Sequence, residues 1–188
     1  KLVGDVSFEK VKNNDGFMID EPPTIYPEDS LKTVLERVER FGSTGFVVVD
    51  NKNKVLGILS KRDFVFENNL NTLVSKMMTP IAKLITTRVG VDRQTAAKLF
   101  AKHKIEKLPV IDKNGILVGL VTAKALNNEI KYPRSVRDKK GRLLVGAAVG
   151  IKDEDKDRAK ALVQAGTDVI VVDIAHGHAE SVLEMTRF

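Results

Sequence analysis

The stretch Gly57-Ile58-Leu59-Ser60-Lys61-Arg62-Asp63 returns 62 positions later as Gly119-Leu120-Val121-Thr122-Ala123-Lys124-Ala125. In each copy an apolar run ends in a hydroxyl side chain, and a basic side chain follows two residues further on. The same offset relates residues 24–64 to residues 86–126 without gaps, and most positions keep their apolar or polar class. The chain therefore contains an internal repeat, which is established before any fold is assumed.

Each copy has the sequence pattern of a helix, two strands and a second helix. Ser30 and Asp92 are side chains that cap helices, and apolar residues follow both at helical spacing. Two short apolar strands come next, joined by a polar turn, and a second helix is predicted to begin near Asp63. The predicted strands are residues 46–49 and 55–59 in the first copy and residues 108–111 and 117–121 in the second.

Composition and charge narrow the class of protein. With 188 residues, of which 43% are apolar and 30% charged, the chain has the composition of an ordinary globular protein of one or two domains. The net charge of +6 comes from 31 basic residues interleaved with 25 acidic ones, without the basic block typical of nucleic-acid binding. No apolar run approaches the roughly 18 residues that would span a bilayer. We therefore expect a cytoplasmic protein that binds neither membranes nor nucleic acid.

The character of the sequence changes after Lys140. Residues 143–150 form a continuous apolar run, a helical pattern starts near Asp155, and a second apolar run at 169–172 ends in Asp173. A strand, a helix and a strand in so short a span predict a buried parallel sheet. Because two strands do not close such a sheet, we expect the chain to be a piece of a longer protein.

The chemistry of the repeat lies at the end of its second strand. The hydroxyls of Ser60 and Thr122 suit a phosphate, Arg62 and Lys124 are placed to pair with it, and the carboxylate of Asp63 can accept the hydroxyls of a ribose. These side chains together would fit a nucleotide. The same residues equally suit a structural role, since serine and threonine cap helices routinely and an exposed arginine is simply solvated.

Residues 24–128 resemble a tandem pair of cystathionine-β-synthase-type (CBS) motifs, known together as a Bateman module, and residues 77–80 are similar to the usual start of such a repeat. The resemblance implies a regulatory module that binds ATP, ADP, GTP or GDP. By position, the first site would contain Ser60, Arg62 and Asp63, and the second Thr122 and Lys124. Ala125 departs from the family pattern, which has Asp there and would use it to hold a ribose.

The flanks carry a second resemblance. Four segments resemble parts of the inosine-5′-monophosphate (IMP) dehydrogenase / guanosine-5′-monophosphate (GMP) reductase family. They are residues 142–150, 173–178, 105–110 and 13–17. This resemblance implies an α/β chain in which a tandem CBS pair is inserted in a partial (β/α)8 TIM barrel. The implied domains are a barrel flank at 1–15, CBS repeats at 16–75 and 76–130, a linker at 131–140, and a partial barrel at 141–188.

The family resemblance also implies sites and partners. Asp173, His176 and Gly177 would contact NAD at the carboxyl end of a barrel strand, where barrel active sites lie. The IMP dehydrogenases oxidise IMP to xanthosine 5′-monophosphate through a loop cysteine, but this chain contains no cysteine, so we expect it to be inactive alone. Members of the family form homo-tetramers and can pair further into octamers through their CBS modules.

Three hypotheses follow from the sequence. The chain is part of an IMP dehydrogenase, part of a GMP reductase that carries a CBS insertion, or a stand-alone regulatory protein that senses purine nucleotides. The tail that ends in Asp173 argues against the third, because a pure sensor has no use for part of a parallel sheet.

Overall fold

The computed structural model describes residues 17–139 and 141–188. These residues fall into two compact units, one of residues 17–133 and one that contains the described residues after 133. The predicted turn at 13–16 and the predicted barrel flank at 1–15 lie outside the described residues. Among the described helices, none is long and apolar enough to cross a membrane.

The 17–133 unit contains eight short strands and five α-helices among its described residues. The strands are β1 (Met18–Ile19), β2 (Thr24–Ile25), β3 (Gly45–Val49), β4 (Val55–Ser60), β5 (Thr79–Pro80), β6 (Thr87–Arg88), β7 (Lys107–Ile111) and β8 (Leu117–Thr122). The α-helices are α1 (Leu31–Phe41), α2 (Lys61–Phe64), α3 (Val74–Met77), α4 (Arg93–His103) and α5 (Ala123–Lys131), and a 3₁₀ turn covers Ile81–Lys83.

Matching caps start the two long helices of the repeats. The Ser30 hydroxyl accepts a hydrogen bond from the Thr33 amide at 3.5 Å, and the Asp92 carboxylate accepts one from the Thr95 amide at 2.9 Å. Each cap satisfies an amide that the first turn of a helix leaves without a partner. Both predicted caps are therefore confirmed, and α1 is followed by Gly42, whose φ of 63° suits a glycine.

Each repeat is preceded by a short strand, called the exchanged strand, that joins the sheet of the other repeat. One sheet has the order β2-β3-β4-β5 and the other has the order β1-β8-β7-β6. Strand β5 precedes the second repeat in sequence but pairs with β4 of the first, while β1 precedes the first repeat but pairs with β8 of the second. Each repeat therefore needs backbone from the other to complete its sheet.

Two equivalent glycines make room for the exchanged strands. A methyl group on Gly57 would lie 2.6 Å from the carbonyl oxygen of Thr79 and 2.9 Å from the Met78 sulfur. A methyl group on Gly119 would lie 2.8 Å from Cγ of Met18. Both distances are too short for a real side chain, so the repeated glycine that opens the motif is required by the packing of the exchanged segment.

Each central strand is buried on both of its faces. Val47 and Val48 are fully buried, although adjacent side chains of a strand point to opposite faces. Val48 packs on the helix side with Val34, whereas Val47 packs in a cluster that also contains Leu117 and Leu120 of the other repeat. The core between the sheets therefore joins the two repeats, which explains why the strands are continuously apolar in sequence.

The turns of the two hairpins pair with each other. The Val55 amide donates to the Gly115 carbonyl at 3.0 Å, and the Leu117 amide donates to the Asn53 carbonyl at 2.9 Å. These reciprocal bonds relate the repeats by an approximate twofold axis. They add a backbone link between the repeats to the apolar core.

Aspartates at equivalent positions shape these two turns. The backbone amide of Lys54, more than that of Lys52, lowers the pKa of the Asp50 carboxyl below its ordinary value. In the second turn, the hydrogen bond from the Ile116 amide is the main cause that lowers the pKa of the Asp112 carboxyl below its ordinary value. A carboxylate that accepts amide hydrogen bonds is favoured over its protonated form, so both turns are stabilised by the charged state.

The unit after residue 133 has the predicted order of strand, helix and strand. Its elements are β9 (Gly146–Val149), α6 (Asp153–Gln164), β10 (Val169–Val172) and α7 (Glu180–Arg187). Strands β9 and β10 are parallel, as predicted, and α6 begins two residues earlier than expected. The prediction that both strands are buried throughout is wrong, since Val169 and Val171 are about half exposed, at 48% and 51%.

One local prediction also differs from the structure. The helix that was predicted to begin near Asp63 is α2, which begins at Lys61 and ends at Phe64 after four residues. The stretch 131–140, interpreted as a connector, begins with the end of α5 and leads into a turn in which Arg137 bridges Leu143. An ion pair of 2.9 Å between Arg142 and Asp138 holds that turn.

Candidate functional site

The first strand end brings Ser60 and Asp63 together. Ser60 ends β4 and caps α2, and one carboxylate oxygen of Asp63, Oδ2, accepts both the Ser60 amide at 2.6 Å and the Ser60 hydroxyl at 2.7 Å. Within the described part of the chain, the other oxygen, Oδ1, has no hydrogen-bond donor. Asp63 therefore has a structural role at the start of α2, and its Oδ1 is not used by the described residues.

Arg62 is exposed at the same strand end. Across residues 17–139 and 141–188, its guanidinium has no hydrogen bond or ion pair. Helix α2 has only four residues, so its amino end contributes little of the partial positive charge that a longer helix provides. An anion at this strand end would therefore depend on charged side chains.

The second strand end has a different hydrogen-bond pattern. Thr122 caps α5, and its hydroxyl accepts a hydrogen bond from the Ala125 amide at 3.1 Å. Ala125 is only 2% exposed, and Lys124 is exposed and has no polar partner among the described residues. The Ser60 hydroxyl of the first repeat thus donates to a carboxylate, whereas the Thr122 hydroxyl of the second repeat accepts from an amide.

The structure also places Lys107 between these two strand ends, a residue that the sequence reasoning missed. Lys107 begins β7 directly opposite Thr122, and its side chain runs over Gly45, which lies opposite Ser60 in the first sheet. Lys107 and Gly45 are equivalent positions of the two repeats. The difference between a lysine and a glycine at this position is therefore visible in the sequence.

Two surface depressions lie away from the predicted residues. The larger, of about 560 Å³, surrounds the start of α4, and the smaller, of about 400 Å³, lies along α1. Their lining residues are Phe17, Val91, Asp92, Arg93, Gln94, Thr95 and Lys98 for the first and Lys32, Leu35, Glu36, Val38, Glu39 and Leu70 for the second. Neither depression includes a predicted site residue.

The predicted NAD-contacting residues lie just after β10. Asp173 follows the strand, and its amide donates to the Val149 carbonyl at 2.9 Å, which keeps its backbone in line with β9. The Asp173 side chain is exposed. His176 and Gly177 are also exposed and form the turn that leads into α7, where the His176 carbonyl accepts the Ala179 amide at 3.1 Å. The three residues therefore occupy one short segment at the carboxyl end of the parallel strands.

Comparison with known proteins gives a consistent assignment. The family model described as "IMP dehydrogenase / GMP reductase domain" matches residues 7–188. The chain is 40% identical over 178 residues to an inosine-5′-monophosphate dehydrogenase of Nitrosopumilus maritimus, covering 95% of this chain and 37% of that protein. It is 45% identical over 178 residues to the enzyme of the same name from Aquifex aeolicus, covering 94% of this chain and 36% of that protein. The chain thus spans little more than a third of the length of these relatives.

Solved structures of a second enzyme also resemble the chain. The GMP reductase of Trypanosoma brucei in complex with guanosine 5′-triphosphate matches with a TM-score of 0.83 and 33% identity, covering 97% of this chain and 45% of that one. A cysteine-to-alanine variant of that GMP reductase in complex with guanosine 5′-monophosphate matches with a TM-score of 0.82 and 33% identity, covering 97% of this chain and 39% of that one. By sequence and by structure, the chain belongs to the IMP dehydrogenase / GMP reductase family.

Proposed function

We propose that this chain is part of an IMP dehydrogenase, an NAD-dependent oxidoreductase that converts IMP to xanthosine 5′-monophosphate in guanine nucleotide synthesis. The identity of 40–45% to proteins named inosine-5′-monophosphate dehydrogenase is the observation that carries this proposal. The half-exposed apolar face of β10, at Val169 and Val171, supports it, because further strands of a barrel would cover that face.

The proposal divides the chain as the sequence predicted. Residues 1–15 and 141–188 belong to the barrel, residues 16–75 and 76–130 are CBS repeats, and residues 131–140 link the two parts. The paired sheets of residues 17–133 support a tandem module, since each sheet takes a strand from the other repeat. We also propose the cytoplasm as its location and a tetramer, extended to an octamer through the CBS modules, as its assembly.

In the proposed enzyme, Asp173, His176 and Gly177 contact NAD, which would take the hydride from the substrate. Their chemistry fits, since the exposed Asp173 carboxylate has no hydrogen-bond donor among the described residues and can accept ribose hydroxyls. A methyl group on Gly177 would meet nothing within 4 Å, so the segment is open to a ligand. The nucleophilic cysteine of the family lies outside this cysteine-free chain, which we therefore expect to be inactive alone.

A CBS-containing GMP reductase is the second candidate, favoured by the structural match to the GMP reductase of Trypanosoma brucei. Activity assays of the full-length polypeptide that carries this sequence distinguish the two candidates. An IMP dehydrogenase would reduce NAD with IMP as substrate, and a GMP reductase would oxidise a reduced nicotinamide cofactor with GMP. Activity in the second assay alone would overturn the first proposal.

The CBS pair is proposed to bind a purine nucleotide as a regulatory ligand, with Ser60, Arg62 and Asp63 at the first site and Thr122 and Lys124 at the second. The unshared Oδ1 of Asp63 and the unpaired Arg62 support the first site, because they leave an acceptor for a ribose and a cation for a phosphate. The missing carboxylate at Ala125 makes the first site the stronger of the two.

Isothermal titration of the chain with ATP, ADP, GTP, GDP and IMP tests this regulatory site. We expect saturable binding of an adenine or guanine nucleotide, weakened by one to two powers of ten in Asp63→Ala, as loss of a charge-assisted contact implies. Asp157→Ala, which removes an exposed carboxylate from α6, is the matched control. If no nucleotide binds at millimolar concentration, the repeats are a structural spacer and the regulatory proposal fails.

A further inference from the structure

We propose that Asn114 is a site of spontaneous modification, at which it loses its side-chain amide and becomes aspartate or isoaspartate. The sequence contains one Asn-Gly pair, Asn114-Gly115, and this pair lies in the hairpin turn of the second repeat. Asparagine is among the thermally labile residues of proteins. The modification needs no bound nucleotide, and it acts on the backbone link between the two repeats.

The reaction is an attack by a neighbouring backbone nitrogen. The Gly115 nitrogen loses its proton and forms a bond to Cγ of Asn114. The bond from Cγ to Nδ2 breaks, and the side-chain nitrogen takes up a proton and leaves as ammonia. Water then opens the succinimide ring at either carbonyl, which gives aspartate or isoaspartate. The sum consumes water and releases ammonia without any oxidant or reductant, and the attack is intramolecular, which favours it.

The turn leaves both reacting groups accessible. Asn114 is exposed, and within the described parts of the chain its Nδ2 makes a single long hydrogen bond, of 3.3 Å to Oδ2 of Asp112. Gly115 has no side chain to shield its nitrogen, and it has a φ of 84°, which a glycine adopts freely. A methyl group on Gly115 would still be 3.5 Å from the nearest atom of Lys54. The backbone of this turn therefore has room to change its shape.

The hydrogen bond that protects the attacking nitrogen is long. The Gly115 amide donates to the Asp112 carbonyl at 3.2 Å, whereas the equivalent amide of the first turn, that of Asn53, donates to the Asp50 carbonyl at 2.9 Å. Hydrogen bonds of this kind are most often about 2.9 Å long and weaken with distance. The Gly115 nitrogen is therefore released more easily than its counterpart in the first turn.

The first hairpin turn has a similar shape but lacks the reactive pair. Asn53 stands where the second repeat has Gly115, with a φ of 60°. Its Nδ2 donates to the Leu117 carbonyl at 3.2 Å, and the next residue is Lys54, whose Cβ hinders approach to the backbone nitrogen. The same fold therefore contains an asparagine that we expect to stay intact.

Conversion of Asn114 would change the link between the repeats. The Gly115 carbonyl accepts the Val55 amide at 3.0 Å, and Oδ1 of Asp112 accepts the amides of Asn114 and Ile116, both at 2.8 Å. Isoaspartate adds a methylene to the backbone before Gly115, so these bonds cannot all keep their geometry. Aspartate replaces a donor to Asp112 with a second carboxylate, and the two like charges repel each other. Both products weaken the turn, and isoaspartate weakens it more.

Incubation of the folded chain in a mildly alkaline buffer, followed by mass spectrometry of its peptides, tests the site. We expect Asn114 to show the mass gain of an NH2-to-OH exchange at least about tenfold faster than Asn53, which corresponds to a modest difference in barrier. Methyl transfer by protein L-isoaspartate methyltransferase identifies isoaspartate among the products. A parallel incubation in urea gives the rate for the unfolded turn. If Asn114 converts in urea but stays intact in the folded chain, or converts no faster than Asn53, the proposal is overturned.

The first repeat supplies two matched control variants. Asn114→Lys copies Lys52 of the first turn and removes the reactive amide, so we expect no conversion at this position. Gly115→Asn copies Asn53, which tolerates a positive φ, and adds a side chain beside the attacking nitrogen. We expect Asn114 to convert at least about tenfold more slowly in this variant. An unchanged rate would overturn the role of the glycine.

Hydrogen exchange of the converted chain tests the consequence. After conversion to isoaspartate, we expect the Val55 and Leu117 amides to exchange about tenfold faster, as the loss of about one hydrogen bond implies. Asn114→Asp, which adds the charge without lengthening the backbone, should give a smaller increase. Unchanged protection of both amides in the converted chain would overturn the effect on the link between the repeats.

Discussion

The two strand ends of the 17–133 unit share one backbone design but differ in chemistry. Both are the last residue of a strand opposite the first residue of its partner, Ser60 opposite Gly45 and Thr122 opposite Lys107. The first has a carboxylate and a short helix, and the second has a buried alanine and a nine-residue helix. An internal repeat can therefore keep its fold while its two sites divide the chemistry between them.

The backbone of the repeats stays similar because each half supports the other. The exchanged strands, the core between the sheets and the paired hairpin turns all use residues from both repeats. The side chains of Ser60, Asp63 and Thr122 belong neither to the core between the sheets nor to the hairpin turns, so the strand ends are free to diverge. The following predictions test this division, from the largest expected effect to the smallest.

The largest effect is expected in the cores of the repeats. Phe46 and Leu108 are equivalent positions, 1% and 0% exposed. We expect Phe46→Ala to lower the free energy of unfolding by about 3–5 kcal/mol and Leu108→Ala by about 2–5 kcal/mol, through lost burial and the cavity left behind. Because the strands are exchanged, either variant should lower amide protection in both repeats, as measured by hydrogen exchange. Wild-type protection in the unaltered repeat would show that the repeats unfold independently.

The glycines beside the exchanged strands come next. Gly57→Ala sets a methyl group 2.6 Å from a backbone oxygen, so we expect a loss of about 1–3 kcal/mol in urea unfolding. Gly45→Ala meets only the flexible end of Lys107, and its loss should be clearly smaller. Equal losses in the two variants would contradict the claim that backbone contact makes Gly57 necessary.

A carboxylate added to the second strand end, like that of the first, tests whether this group alone accounts for the proposed difference in nucleotide binding. In Ala125→Asp the new carboxylate can accept the Thr122 amide and hydroxyl, as Asp63 accepts those of Ser60. We expect titration to show a second nucleotide bound, with the affinity of the second site raised about tenfold or more. Ala125→Asn, which adds the same bulk without charge, should leave the stoichiometry unchanged. A folded Ala125→Asp chain with unchanged stoichiometry would show that the carboxylate is not the missing element.

The smallest effect concerns the turns, where the repeats agree. Amide hydrogen bonds lower the pKa of Asp50 and of Asp112, so each carboxylate stabilises the fold above its ordinary pKa and loses that effect as pH falls through its lowered value. We expect Asp50→Asn and Asp112→Asn to lower the urea midpoint slightly at neutral pH, by similar amounts. The difference from wild type should shrink below about pH 3.8. A difference that stays constant with pH would exclude the charged state as its cause.

Much of the fold could be predicted from local pattern. The caps at Ser30 and Asp92, the paired strands of each repeat and the parallel strands of the tail are encoded in neighbouring residues, and all were confirmed. The position of α2 was not, since the helix predicted to begin near Asp63 lies at Lys61–Phe64, and packing rather than local sequence sets where so short a helix ends. The half-exposed strand face at Val171 was also not predicted, since an apolar sequence does not show whether another segment covers those side chains.

The repeat, its strand ends and the family of the chain follow from the order of residues, because periodicity and motif spacing are properties of that order. Three features required the folded structure: which repeat completes which sheet, why Gly57 and Gly119 must be glycine, and where the end of Lys107 lies. The exchanged strands pair residues 21–23 and 101–103 positions apart, and the end of Lys107 lies over a glycine 62 positions away. Packing between segments that are distant in sequence brings these residues together, and a local sequence pattern contains no information about that packing.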